Sequence, residues 1–132
     1  MEKAAYTDLE VWKTSRELVN WIYSSTKLFP KEEMYGLTQQ MRRCAVSIPS
    51  NIAEGCGRNH PKDSIQFFHI ARGSVYELET QLYLSFDQDY LDNTALKADL
   101  EKIVQCKKLL NGFINYYQKL STTNEKRATN NQ

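Results

Sequence analysis

A chain of 132 residues with 41% hydrophobic and 25% charged side chains has the size and make-up of one globular domain around one core. A formal net charge of +1 excludes a strong uniform field for nucleic acid, and no run of about 18 apolar residues is present to cross a membrane. Met1-Glu2-Lys3-Ala4-Ala5-Tyr6 leads straight into charged sequence without the apolar stretch of a signal peptide, so the expected location is the cytoplasm.

The first predicted helix runs from about Leu9 to Phe29, with Thr7 or Asp8 as N-cap. Val11, Leu18, Ile22 and Phe29 share one stripe, with Trp12, Val19 and Tyr23 beside it, a spacing that suits a helix and not a strand. Pro30 ends the segment, because it disfavours helical geometry in the residue before it. The second helix carries Met34, Leu37, Met41, Cys44 with Ala45, Ile48 and Ile52 at steps of three or four. Pro49 falls inside that pattern, removing one backbone donor and crowding the carbonyl of Ala45, so a kink is expected rather than a break. Gly55 and Gly57 are expected to stop it.

Pro61 suits the first position of a third helix, and Asp63 is favourable in its first turn. Phe68, Ala71, Val75, Leu78, Leu82 and Ser85 advance by 3, 4, 3, 4 and 3, a heptad-like seam. The fourth helix begins near Thr94, capped by Asp92 or Asn93, and its stripe is Leu96, Leu100, Ile103, Cys106, Leu110, Phe113, Tyr117 and Leu120. Residues 121–132 are polar and aperiodic and are expected to be a disordered tail after a bundle domain spanning 1–120. The fold class is therefore all-α: an antiparallel up-down-up-down four-helix bundle with its second helix kinked at Pro49.

Cys44, Cys56 and Cys106 are odd in number and form no C-x-x-C pair, which argues against a disulfide framework or a thiolate metal site. Cys44 and Cys106 read as small buried hydrophobes, and Cys56, between two glycines, as nearer the surface.

Two stretches are more specific than a generic bundle requires. Tyr35-Gly36-Leu37, Gln40 and Arg43 are followed by Ser47-Ile48, then Asn51-Ile52-Ala53-Glu54-Gly55, and later by Ala71-Arg72-Gly73-Ser74 with Glu77-Leu78-Glu79. With Val11-Trp12-Lys13 and Phe29-Pro30, this pattern resembles the bacterial 23S rRNA intervening-sequence protein family over about residues 6–120. The resemblance implies an antiparallel four-helix bundle, often assembled as a ring-like homopentamer, with no established enzymatic activity. Members are encoded inside intervening sequences of 23S rRNA genes or elsewhere in bacterial genomes. A related branch is the accessory protein of diversity-generating retroelements, which binds a reverse transcriptase and nucleic acid. The pentameric relatives are expected to be strongly basic on the surface, whereas this chain is nearly neutral.

Catalytic constellations are missing from the pattern. A di-metal carboxylate bundle needs Glu on two helices and Glu-x-x-His on the other two, but Gly57 follows Glu54 at that spacing and Thr80 follows Glu77. Ser47, Ser50 and Ser74 lack a His–carboxylate relay nearby in sequence. Gly55-Cys56-Gly57-Arg58 ends a helix rather than opening one after a strand, so it is not a phosphate cradle. No metal, no cofactor and no enzymatic activity are expected.

Charge is uneven. Residues 61–90 carry a net −3, and residues 91–132 a net +3. If the second and third helices turn near residue 58, Met41 faces Ser74 and Arg42 and Arg43 fall within a turn, about 6 Å, of Glu77. One reading is a structural polar network of Arg42 or Arg43 and Arg72 with Glu77 and Glu79, while Asn51, Glu54 and Arg58 form a polar cluster at the bundle end. The other leaves Arg42, Arg43, Arg58, Lys107 and Lys108 free to meet phosphate. Small residues including Gly73 allow close helix approach, within the fold or between subunits.

Two function classes follow. The first is a non-catalytic homo-oligomer, a pentamer by resemblance, that associates with structured RNA or a ribonucleoprotein. The alternative is a protein-binding scaffold without nucleic-acid affinity.

Overall fold

The computed structural model describes residues 5–130, with side chains to Arg127. Met1–Ala4 and Asn131–Gln132 lie outside it, including the start of the stretch read for a signal peptide and the end of the expected tail. The elements are α1 (Glu10–Thr26), α2 (Leu37–Cys56), α3 (Pro61–Asp87) and α4 (Asn93–Asn130), with short 3-10 turns at Tyr6–Asp8 and Lys31–Glu33. No strand occurs among the described residues.

Side-chain pairs fix the directions. Cys44 and Ser47 of α2 both meet Ser74 of α3, while Gly55 lies against Ser64 and Phe68, so α2 and α3 run antiparallel. Phe68 meets Phe113 and Tyr117, Arg72 meets Asn111, and Glu79 meets Lys107, so α3 and α4 are also antiparallel. α1 packs on α2 and α4, and α3 packs on the same two, so the close backbone approaches are between adjacent helices. The result is an antiparallel four-helix bundle.

The core follows the three-and-four spacing. Leu18, Ile22, Met41, Ile48, Ile52, Phe68, Leu78, Leu82, Ile103 and Leu110 are fully buried, each contributing roughly 1.5–3 kcal/mol relative to exposure. At the lower end of α4 the seam drifts: Ile114 is buried, while Phe113, Tyr117 and Leu120 are half-buried. A straight helix has 3.6 residues per turn, so a seven-residue repeat rotates off the contact line over such a length.

Several local expectations are corrected. α1 starts at Glu10 behind Leu9, which makes no side-chain cap, because residues 6–8 are already in a 3-10 turn. It ends at Thr26, three residues before Phe29, whose ring instead meets Tyr90 at 5.2 Å. α2 runs through Pro49 to Cys56, in line with the expectation that the proline does not break it. Gly55 is thus inside the helix, and Gly57 stands at its C-terminal cap. Met34, placed on the core stripe from its spacing, is 47% exposed, because it precedes α2 and falls outside its period. As expected, Pro61 opens α3, and the Ala95 N–H donates to Asp92 Oδ1 at 2.7 Å at the start of α4.

The largest departure is at the C-terminus. Where a disordered tail was expected from residue 121, α4 continues to Asn130. After Gly112 the sequence contains neither Gly nor Pro, so nothing stops a helix that is already nucleated. Thr122 Oγ1 donates to the Gln118 carbonyl at 3.1 Å, and Lys62 at the start of α3 pairs with Glu125 at 2.5 Å.

Candidate functional site

The expected acid–base network between α2 and α3 does not form. The Cys44–Ser74 and Ser47–Ser74 pairs centre the turn between α2 and α3 nearer residue 60 than 58, and Met41 meets Ser85 rather than Ser74. Glu79 pairs instead with Lys107 of α4 at 2.7 Å, and Lys107 Nζ also lies 4.3 Å from the ring centroid of Tyr76. Arg72 donates to Asn111 Oδ1 at 3.2 Å, and its other nitrogen lies 3.0 Å from His69 Nδ1. Glu77 is exposed on α3. Asn51 does not join Glu54 and Arg58: its Nδ2 donates to the Ser47 carbonyl at 2.8 Å and to Ser47 Oγ at 3.0 Å. Glu54 is exposed, and the Arg58 guanidinium lies 4.5 Å over Phe67. The seam is crossed by small neutral groups, with Ser47 Oγ 2.9 Å from Ser74 Oγ and Cys44 Sγ donating to the Ser74 carbonyl at 3.0 Å.

The five basic candidates therefore fall in separate places. Lys107 is committed to Glu79, while Lys108 next to it is exposed on α4. Arg58 lies at the far end of α2. Arg42 and Arg43 alone come together, along a groove of about 540 Å³ beside α1 that Tyr23, Met34, Tyr35 and Val46 help to line. Arg42 Nε donates to Thr26 Oγ1 at 2.9 Å, and its guanidinium stacks 4.6 Å from the Tyr23 ring centroid. Both partners are neutral, so the positive charge is held in place without being cancelled. Tyr35 is 90% exposed. Its signal in sequence was position: an aromatic immediately before Gly36 and α2 has no helical stripe to join.

A second feature escaped the sequence reading. Asp99 is only 1% exposed; the Trp21 indole N–H donates to its Oδ1, and its Oδ2 has no partner. Burial pushes the Asp99 carboxyl upward from its ordinary value, against the opposing pulls of the Trp21 N–H and of Lys102. Lys102 Nζ itself sits 4.2 Å over the Trp21 ring. The signal was present, because Asp99 stands three residues after Leu96 and four before Ile103, a core position occupied by a carboxylate.

Reactive chemistry finds little support. Burial pushes the Cys44 thiol up to about 12 and the Cys106 thiol up to about 11, so both stay protonated at neutral pH. Tyr117 is likewise raised to about 12, chiefly by burial. Among the described residues no group of three or more His, Cys, Asp or Glu is placed to hold a metal ion. No described helix is long and apolar enough to cross a membrane.

Comparison with known proteins bears on this architecture. No curated protein matches the chain. Among solved structures it is similar to a protein of unknown function from the S23 ribosomal protein family of Bacteroides thetaiotaomicron, with a TM-score of 0.73 and 24% identity. That match covers 80% of this chain and 95% of the other, and shows the same fold. The family model described as 23S rRNA-intervening sequence protein matches residues 7–112, which take in the Tyr35–Gly55 and Ala71–Glu79 motifs and most of the bundle. The chain belongs to the 23S rRNA-intervening sequence protein family.

Proposed function

We propose that this protein is a non-catalytic, homo-oligomeric bundle of the cytoplasm that associates with structured RNA or a ribonucleoprotein. The observation that carries the RNA part is the Arg42–Arg43 groove, where two guanidinium groups stand together with no carboxylate lining the same surface. Buried salt bridges would have cancelled those charges; neutral stacking on Tyr23 keeps Arg42 available to an anion. Lys108 adds a second phosphate contact on α4.

The homo-oligomer is supported by Gly73. It lies in the middle of α3, costs about 1 kcal/mol there relative to alanine, and has no atom within 4 Å of where a Cβ would stand. Nothing inside the chain requires a glycine at that point. An approaching second copy would use the gap, and Ile70, one turn before it on α3 and 52% exposed, offers apolar surface. A pentamer is the number the family resemblance implies.

Filter binding of the full chain to a structured fragment of 23S rRNA at low salt tests the reading. Retention that disappears on raising the salt supports it. No retention overturns the RNA part, and partners that survive nuclease treatment in a pull-down favour a protein-binding scaffold instead.

A further inference from the structure

The groove beside α1 and α2 combines features that are seldom left together in water. Tyr35 is 90% exposed, Met34 47% and Tyr23 40%, and Arg42 and Arg43 stand beside them. No carboxylate is among the lining residues, and the neighbouring Glu33 is turned to the start of α2, where it accepts the Leu37 N–H at 2.9 Å. Arg42, stacked on Tyr23 at 4.6 Å, presents a planar cation rather than a freely moving charge.

A ligand that satisfies this surface needs a flat apolar face and an anion within one small unit. An unpaired nucleotide has both: its base stacks on aromatic rings and guanidinium planes, and its phosphate takes an arginine. Duplex RNA offers only the phosphates, because its base faces are already stacked on one another. The volume of about 540 Å³ suits a group of nucleotide size. We infer that this groove holds an unpaired nucleotide of RNA, its base against Tyr35 and Met34 and its phosphate toward Arg43. The protein then recognises loops, bulges or ends rather than continuous duplex. This rests on the RNA reading above and gives it a location and a preference.

Fluorescence anisotropy with a short labelled poly-uridine strand and a blunt RNA duplex of equal length, at low salt, tests the inference on the full chain. The wild type binds the strand more tightly than the duplex. Tyr35→Ala weakens the strand by about tenfold, leaves the duplex unchanged and leaves the melting temperature unchanged, since the side chain is 90% exposed. Tyr35→Phe retains strand binding, and Arg43→Ala weakens it. Strand binding by Tyr35→Ala equal to wild type overturns the inference while leaving the broader RNA reading intact. Binding of neither probe by the wild type removes that reading and the inference with it. A changed molecular mass for Tyr35→Ala assigns the groove to contact between copies and also overturns the proposal.

Discussion

The ring of Phe68 occupies the space that any side chain at position 55 would need. A Cβ added to Gly55 would stand 2.3 Å from Phe68 Cε1 and 2.9 Å from the Ser64 carbonyl oxygen. Gly55 therefore sets how closely the end of α2 approaches the start of α3, and Phe68 in turn stacks 4.8 Å from both Phe113 and Tyr117. Gly55→Ala forces this aromatic cluster apart and is expected to cost about 1–3 kcal/mol, the usual range for overpacking. Urea unfolding monitored by far-UV circular dichroism measures the loss, and an unaltered midpoint would show that the cluster yields freely.

Trp21 and Asp99 give a pH dependence with a definite sign. The folded-state pKa of Asp99 is raised by burial, so between about pH 4, where the unfolded carboxyl ionises, and the higher folded value, the unfolded chain binds fewer protons. Stability from this group is fully present at low pH and is lost as pH rises through the folded pKa. Relative to wild type, Asp99→Asn should therefore gain stability between about pH 4 and about pH 7, by about 1.4 kcal/mol per unit of pKa elevation. Denaturant midpoints of both proteins at the two pH values check it, and a pH-independent difference contradicts it.

Lys107 and Lys108 are neighbours in sequence and should differ in function. Lys107 is held by Glu79, with about a quarter or less of either side chain exposed. Lys108→Ala is expected to shallow the salt dependence of RNA binding by about one phosphate contact. Lys107→Ala should leave that slope nearly unchanged and cost about 1 kcal/mol or less of stability. Equal effects on the slope would mean that the Lys107–Glu79 pair opens for RNA.

Gly73 separates folding from assembly. Its surroundings are open, so Gly73→Leu should leave the monomer at least as stable as wild type, the helix propensity improving by roughly 1 kcal/mol. Analytical ultracentrifugation should nevertheless find the variant at lower mass. Unchanged mass would remove Gly73 from the contact between copies.

Much of this fold is legible in the sequence because helix packing is written in spacing. Leu18, Ile48, Leu78 and Leu110 each lie on a three-or-four stripe and are fully buried or nearly so. Spacing says less at the ends. Gly55 reads as a helix stop, yet its role is a contact with Phe68 thirteen residues on, which no local pattern encodes. The polar composition of residues 121–130 suggests a loose tail, whereas the absence of breakers lets α4 continue. The site was less legible than the fold. Arg42 and Arg43 were identifiable as cations, but the pairing of α2 with α3 brings Cys44, not an arginine, beside Glu77, and the arginines line the groove beside α1. Side-chain period places residues on a stripe and does not say which neighbour a residue beside the stripe will meet.

The proposed RNA contact lies on the surface and not in the core, at positive charge that no carboxylate of the groove cancels. The affinity of the full chain for a single-stranded RNA, followed across salt concentrations, tests this most directly. The expected result is a linear fall of log Kobs with log salt whose slope is about −0.7 per phosphate contacted, and a shallower slope in Arg43→Ala. A slope near zero, or one that Arg43→Ala leaves untouched, would contradict it.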